Sequence, residues 1–206
     1  MQSPTDERLL SAWQGGDNEA GATLFDRHYD GLARFFRNKV SDSDRDDIIQ
    51  QTFMAIPSAR FDGRSTVKTW MFSIAWRRLA DHFRQTHRRA KREVAGIEEM
   101  SVVDLGATPE TRFVRSQERR LLLEGLRRLP LHQQAVLELH YWEEMPTPRI
   151  AEALEIPVGT AKTRLRDGRI RLTQILEEIA DSGEVLKSTL DDLDGWAVRA
   201  RDHALT

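Results

Sequence analysis

The sequence has 206 residues, no cysteine and only two tyrosines, and its apolar runs are short. The absence of cysteine excludes disulfide bonds and thiolate metal sites, and a reducing compartment is compatible with it. No apolar run is long enough to cross a bilayer. The first residues, MQSPTDERLL, lack the apolar core of a signal peptide. The sequence therefore predicts a soluble, cytoplasmic protein.

A large net charge is also missing, because the chain as a whole carries only −2. The charge is unevenly distributed, however. Residues 63–92 sum to +8, whereas residues 93–118 sum to −4. A basic block of this kind is typical of a surface that binds polyanions. A solvated basic helix face would give the same pattern, but the concentration of charge in one segment favours nucleic acid.

Apolar residues recur at three- and four-residue spacing in nearly every segment, and no strand pattern is persuasive. Asp44 and Thr147 are predicted to cap two of the helices. The sequence thus predicts an all-α fold of two helical domains, an acidic linker and an amphipathic C-terminal extension. Their expected limits are 1–92 for the first domain, 93–111 for the linker, 112–180 for the second domain and 181–206 for the extension.

The second domain contains a helix-turn-helix pattern. Ile150 to Leu154 form a short helix, Glu155-Ile156-Pro157 a tight turn, and Val158 opens a helix rich in long cations. The second helix of such a motif can enter a major groove with its N-terminal residues on base edges. A helical hairpin with a solvated basic face is the alternative. The candidate DNA contacts are Thr160, Lys162, Thr163, Arg164, Arg166 and Arg169.

Two motif sets together resemble one known family, the extracytoplasmic-function sigma factors. Leu129-Pro130 and the segment from Ile150 to Leu165 resemble their fourth domain. Asp46 to Phe53 resembles the polymerase-binding helix of their second domain. Phe61-Asp62-Gly63 and the segment from Thr69 to Arg84 resemble its promoter-melting region. The resemblance covers roughly residues 5–180, with the motifs in the family's order.

The resemblance implies a transcription initiation factor whose partners are core RNA polymerase, promoter DNA and an anti-sigma factor, with no cofactor. In the family the second domain docks on the clamp of the polymerase, and the linker threads toward its active-site and RNA-exit channels. The linker of this chain is acidic, which would oppose nucleic acid on that path, but a plain disordered tether would have the same composition. The expected polymerase-binding residues are Asp47, Ile48, Gln50, Gln51 and Phe53.

The family captures an unstacked base of the −10 element in the loop before a Trp-containing helix. Melted bases need a pocket and flat or cationic surfaces that replace lost stacking. Phe72 and Trp76 are therefore candidate stacking surfaces, and the nearby arginines are candidate phosphate ligands. The full set of expected −10 contacts is Gly63, Arg64, Ser65, Thr66, Val67, Phe72, Trp76, Arg77, Arg84 and Arg88.

Several residues depart from the family pattern and bear on promoter choice. Arg77 stands where an Asn is usual, and Asp167 replaces a common Arg of the recognition helix. Glu155 replaces the usual turn glycine, which is costly if the turn needs a left-handed backbone. Gly168 should weaken its helix by up to about 1 kcal/mol relative to Ala.

The tail contains an apolar stripe from Val185 to Trp196, edged by Asp191, Asp192 and Asp194. Such a stripe should be buried. It is expected to pack on the second domain. Its acids could also screen Lys162 and Arg164, or the stripe could dock an anti-sigma factor.

No residue pattern indicates catalysis. The six histidines form no metal or hydrolase pattern, and no phosphate-binding glycine loop occurs. The sequence therefore predicts a protein that is not an enzyme. Two other functions remain open: a DNA-binding regulator that never acts as a sigma factor, and a sigma mimic that sequesters an anti-sigma factor. The basic block argues against the mimic.

Overall fold

The computed structural model describes residues 3–89, 96–105 and 117–191. Within these ranges the chain is helical, and its only β-type pairing is an isolated bridge between Ser101 and Pro130. The all-α prediction is confirmed. The helices are α1 (Asp6–Gln14), α2 (Asn18–Arg37), α3 (Asp42–Ala55), α4 (Val67–Arg89), α5 (Gln117–Arg127), α6 (Leu131–Tyr141), α7 (Thr147–Ala153), α8 (Val158–Ile179) and α9 (Gly183–Asp191), with short 3₁₀ turns at Ile56–Ser58 and Ile97–Glu99.

Helices α1 to α4 form the first lobe, and polar side chains cap the N-termini of its first three helices. Thr5, Asp17 and Ser41 accept hydrogen bonds from backbone N–H groups that would otherwise have no partner. The prediction that Asp44 caps α3 is wrong, because Ser41 takes this role and Asp44 lies in the first turn. There the negative charge of Asp44 still interacts favourably with the helix dipole.

Helices α5 to α8 form the second lobe. The predicted cap at Thr147 is also wrong, since α7 begins at Thr147 and the preceding Pro146 makes no side-chain cap. Proline at the following position suits the first turn, where an N–H would have no intrahelical partner. In the middle of α8, Gly168 lies against α6. A Cβ there would meet Gln133 and Leu137 at 3.4 Å, so the glycine permits close helix packing.

The two lobes are in direct contact. One apolar cluster contains buried side chains of both lobes, from Leu9 in α1 to Leu154 at the end of α7. Helix α4 packs directly on α7, and α2 also touches α6. A second, smaller cluster lies wholly within the second lobe between α5, α6 and α8.

Part of the predicted linker is docked on the second lobe. The backbone N–H of Leu131 donates to the carbonyl of Met100 at 2.8 Å, and that of Val103 donates to Arg127 at 3.3 Å. Val102 and Leu105 are buried. Residues 96–105 are therefore not a plain tether. The other linker residues lie outside the described part of the chain.

The tail helix α9 packs on α5 and α8, and Leu186 joins the smaller cluster. This agrees with the expected packing on the second domain. The side chain of Asp191 and residues 192–206, which include Asp192, Asp194 and Trp196, lie outside what the structure describes.

Candidate DNA-binding and polymerase-binding surfaces

An open apolar groove of about 520 Å³ runs beside α3. Its walls come from α1, α2 and α3, and Met54 on its edge is 71% exposed. A groove with this lining suits an amphipathic helix of a protein partner. The lining residues are Trp13, Phe25, Tyr29, Asp46, Ile49, Gln50, Phe53, Met54 and Pro57.

The five predicted polymerase-binding residues divide into two groups. Asp47, Gln50 and Gln51 are exposed, and Gln50 lies on the groove. Ile48 and Phe53 are buried in the core of the first lobe. Phe53 nevertheless lines the groove and packs against Phe25 with ring centroids 4.5 Å apart. Ile48 can influence a partner only by positioning α3.

The loop before α4 is open to solvent at its tip. Gly63 has φ +72°, a conformation that favours glycine, and no atom lies near its missing Cβ. Arg64 is 88% exposed and pairs with Asp62 at 3.1 Å. Thr66 is exposed, accepts a hydrogen bond from the N–H of Thr69 and bonds the Thr69 hydroxyl. Ser65 is partly buried.

Three predicted −10 residues are buried in this arrangement. Val67, Phe72 and Trp76 are 1%, 2% and 5% exposed and belong to the cluster that both lobes share. Phe72 makes an edge contact with Phe35 at 5.5 Å. Neither aromatic ring presents a face on which a base could stack in this structure.

The predicted −10 arginines lie on exposed parts of α4. Arg77 is about half exposed, donates to Ser73 through Nε and Nη2, and pairs with Glu155 of the second lobe at 3.3 Å. Arg84 pairs with Asp81 within the same helix, and Arg88 is exposed. These cations form a basic edge that can hold phosphates.

The predicted −35 residues lie in the first half of α8. Lys162, Thr163 and Arg166 are exposed, and Thr160 is partly buried at the helix start. The guanidinium of Arg169 lies 5.6 Å from the ring centroid of Tyr141, a cation–π contact that orients it. Arg164 is only 20% exposed and faces Glu99 of the docked linker at 3.9 Å.

The turn between α7 and α8 has a left-handed backbone at the position where the family usually has a glycine. Glu155 has φ +55°, where glycine would be unstrained. Its carboxylate reaches Arg77 across the lobe boundary.

Sequence reasoning missed a set of charged contacts between the lobes, here called the polar seam. Arg34, Lys39, Lys68 and Arg77 come from the first lobe, and Glu138, Glu143 and Glu155 from the second. Lys39 and Glu138 form a fully buried ion pair. Burial lowers the pKa of Lys39 and raises that of Glu138, while their mutual attraction opposes both shifts.

Glu143 is the most highly connected carboxylate of the polar seam. Its Oε1 accepts from Arg34 at 3.0 Å, and its Oε2 pairs with Lys68 at 2.9 Å. The carboxylate lies against Gly31, where a Cβ would come within 2.9 Å of Oε2. Single charged residues within or beside a helix are unremarkable in a sequence, so no local signal marks these pairs.

Within residues 3–89, 96–105 and 117–191, no group of three histidine or acidic side chains is placed to hold a metal ion. None of the helices in these ranges is long and apolar enough to cross a membrane.

Comparison with known families adds to this geometry. Residues 24–89 match the family described as Sigma-70 region 2, and residues 119–172 match Sigma-70, region 4. The two matches coincide with the helices that carry the groove, the basic edge of α4 and the helix-turn-helix.

Three of the curated relatives match over most of their length. The RNA polymerase sigma factor NccH of Alcaligenes xylosoxydans xylosoxydans is 30% identical, over 86% of this chain and 98% of the relative. The ECF RNA polymerase sigma factor SigW of Bacillus subtilis is 29% identical, over 80% of this chain and 92% of its own. The ECF RNA polymerase sigma-E factor of Haemophilus influenzae is 27% identical, over 78% of this chain and 89% of the relative.

Two solved structures share the fold. CnrH, in complex with the cytosolic domain of CnrY, superposes with a TM-score of 0.61 at 24% identity, over 86% of this chain and 99% of CnrH. The sigma factor RpoE of Bartonella quintana, in complex with the anti-sigma factor NepR, superposes with a TM-score of 0.58 at 18% identity. The match covers 78% of this chain and 98% of RpoE.

Proposed function

Because the chain belongs to the extracytoplasmic-function sigma factors of RNA polymerase, which direct promoter recognition, we propose which of its surfaces perform each step. Core polymerase binds the groove beside α3. The loop before α4 and the basic edge of α4 receive the −10 element, and the first half of α8 reads the −35 duplex.

One observation carries this assignment. The exposed side chains of α3, α4 and α8 differ in chemistry as the three partners require. The α3 groove is apolar with amide and acidic groups on its rim, which suits a protein helix. Helices α4 and α8 instead expose arginine and lysine, which suit phosphates and guanine edges.

The chain acts by binding and not by catalysis, and it works in the cytoplasm, where the polymerase is found. In the two solved complexes, CnrH is bound by the cytosolic domain of CnrY, and the sigma factor RpoE is bound by the anti-sigma factor NepR. We propose that a protein inhibitor likewise controls this chain. This inhibitor is an anti-sigma factor in the functional sense.

Reconstituted transcription tests the proposed function. Core polymerase plus this chain should produce a transcript from the region upstream of the chain's own gene, and core polymerase alone should not. A DNA-binding regulator would bind that DNA without giving a transcript, and a sigma mimic would do neither.

The polymerase surface is tested by Gln50→Ala with Gln51→Ala. Both side chains are exposed, so the helix should be unchanged while core binding weakens. Glu19→Ala with Thr23→Ala, on an exposed face of α2, is the matched control. Full retention of core polymerase by the glutamine variant would remove α3 from the interface.

A further inference from the structure

Met54 is the most exposed methionine in the described part of the chain. It is 71% exposed, whereas Met71 and Met145 are 1% and 4% exposed. Met100, in the docked linker segment, is partly buried and packs against the larger apolar cluster. A reagent in solution therefore reaches the side chain of Met54 more easily than those of the other three.

Met54 also lies on the edge of the apolar groove beside α3. It follows Gln50 by about one helical turn, so the two residues share a face of α3. The groove beside them is mainly aromatic and aliphatic, and includes Phe25 and Phe53 with ring centroids 4.5 Å apart. A partner helix that fills this groove would cover the side chain of Met54.

The chemistry of methionine at such an edge depends on the oxidation state of its sulfur. The thioether is apolar, and its unbranched side chain adapts to a partner surface. Oxidation to the sulfoxide makes the same side chain polar. Covering the sulfoxide oxygen in an apolar interface removes it from water, which costs binding free energy unless a hydrogen-bond donor replaces the water.

We propose that Met54 is an oxidation site through which a peroxide weakens the docking of this chain on core polymerase. The sulfur attacks one oxygen of hydrogen peroxide, the O–O bond breaks, an S–O bond forms and water leaves. The thioether is oxidised and the peroxide is reduced, so no further reactant is needed. A methionine sulfoxide reductase with a thiol reductant returns the thioether and releases the oxygen as water. The inference rests on the proposed function, because it assumes that polymerase binds the groove beside α3.

The composition of the chain simplifies this chemistry. The sulfur atoms of the chain are those of its five methionines, because it has no cysteine. Peroxide therefore meets no thiol in this protein, and a thiol reductant has no disulfide to reduce. A peroxide effect that a sulfoxide reductase reverses is thus assigned to methionine.

The test treats the full chain with hydrogen peroxide and measures its affinity for core polymerase by fluorescence anisotropy, with a dye on the chain. Peptide mass spectrometry locates the added oxygen, and the melting temperature reports whether the fold is kept. Met54→Leu, which has an apolar side chain that cannot form a sulfoxide, is the blocked variant. Met100→Leu is the matched control, because it removes a partly accessible methionine and leaves Met54 in place.

We expect Met54 to gain its oxygen before Met71 and Met145 do. The affinity of the unaltered chain and of Met100→Leu for core polymerase should then fall about five- to thirtyfold, with the melting temperature unchanged. Sulfoxide reductase should restore the affinity. Met54→Leu should have the same affinity before and after peroxide, whatever its starting value. Unchanged affinity of the unaltered chain after full oxidation of Met54, an equal loss in Met54→Leu, or a loss that accompanies unfolding would overturn the inference.

The variant Gln50→Ala with Gln51→Ala separates this inference from its premise. If that variant binds core polymerase as the unaltered chain does, the groove is not the interface, and the oxidation site falls with it. If it binds weakly while oxidation of Met54 changes nothing, the interface stands and the oxidation site is rejected. In the assembled holoenzyme the polymerase should also slow the oxidation of Met54, and an unchanged rate would count against both.

Discussion

Single residues show where local sequence rules predict this structure and where they stop. The family's usual glycine at the position of Glu155 left open whether this turn needs a left-handed backbone, and the structure shows that it does, with φ +55°. The partner of Glu155 was not anticipated. Arg77 lies 78 positions earlier in the chain, and no periodicity or capping rule links residues that far apart.

The strained backbone at Glu155 gives a stability prediction. Replacing Glu155 with glycine should raise the free energy of unfolding by about 1 kcal/mol, because a left-handed non-glycine residue costs that order of energy. The ion pair with Arg77 is half exposed and contributes little against this. Urea unfolding measures the change, and Glu152→Gly within α7 should be destabilising by comparison.

Substitution in the buried pair of Lys39 and Glu138 should lower the free energy of unfolding, whereas Glu155→Gly should raise it. Lys39→Met leaves Glu138 buried without its cation and should lower the free energy of unfolding by about 3–5 kcal/mol. Adding Glu138→Leu removes the orphaned charge and should restore most of that loss. A double-mutant cycle by urea unfolding measures both steps, and a double variant no more stable than Lys39→Met would contradict the assignment.

At the scale of helices, the start of α8 at Val158 was predicted correctly, because the tight turn that ends at Pro157 marks it in the sequence. The caps were harder, since Ser41 and Asp44 are both good capping residues and the tertiary structure decides between them. The docking of the linker segment could not be predicted from apolar periodicity. Backbone hydrogen bonds hold the segment, and almost any sequence can make them.

Docking of the linker segment should depend on pH through His132. Burial lowers the pKa of His132 below its ordinary value of 6.5, and nearby Arg164 acts in the same direction, against the hydrogen bond to Glu98. The unfolded chain therefore takes up this proton at a higher pH than the folded chain does. The contribution of neutral His132 to the free energy of unfolding is fully present above pH 6.5. It is lost as the pH falls toward the lower pKa that His132 has in the folded chain.

The measurement is the change in melting temperature between about pH 7.5 and about pH 5.5. His132→Gln keeps a hydrogen-bond donor for the Glu98 carbonyl but cannot titrate, so its melting temperature should fall less over this interval. An equal fall in both proteins would exclude His132 as a source of the pH dependence.

The tail helix is predicted to stabilise the second lobe. Truncation before Ser182 removes Val185 and Leu186 from their partly buried sites against α5 and α8, and should cost about 1–2 kcal/mol. Truncation after Asp191, which keeps α9, is the control and should cost less. DNA affinity should not rise on loss of α9, because the described carboxylate near Arg164 belongs to Glu99. An unchanged melting temperature would show that α9 serves another molecule.

At the scale of the whole molecule, the family motifs predicted two helical units, but the way in which they pack was not predictable from them. Each motif predicts contacts only within its own helical unit. The contacts between units depend on single residues, such as Lys39 and Glu138, that are 99 positions apart. Their charges look like ordinary surface charges until the fold brings them together.

The shared apolar cluster predicts that the free chain unfolds as one unit. Leu131, Ala135 and Leu139 of α6 are fully buried in the cluster that begins in α1, and Glu138 between them is buried against Lys39. Separating the lobes exposes these groups, so neither lobe can keep its full stability alone. Calorimetry should show a single transition whose enthalpy is about 125–165 kcal/mol near 60 °C for a chain of this length and equals the van't Hoff enthalpy. Two transitions of about half that enthalpy, or an isolated fragment of residues 117–191 that melts at the temperature of the full chain, would show instead that the lobes fold independently.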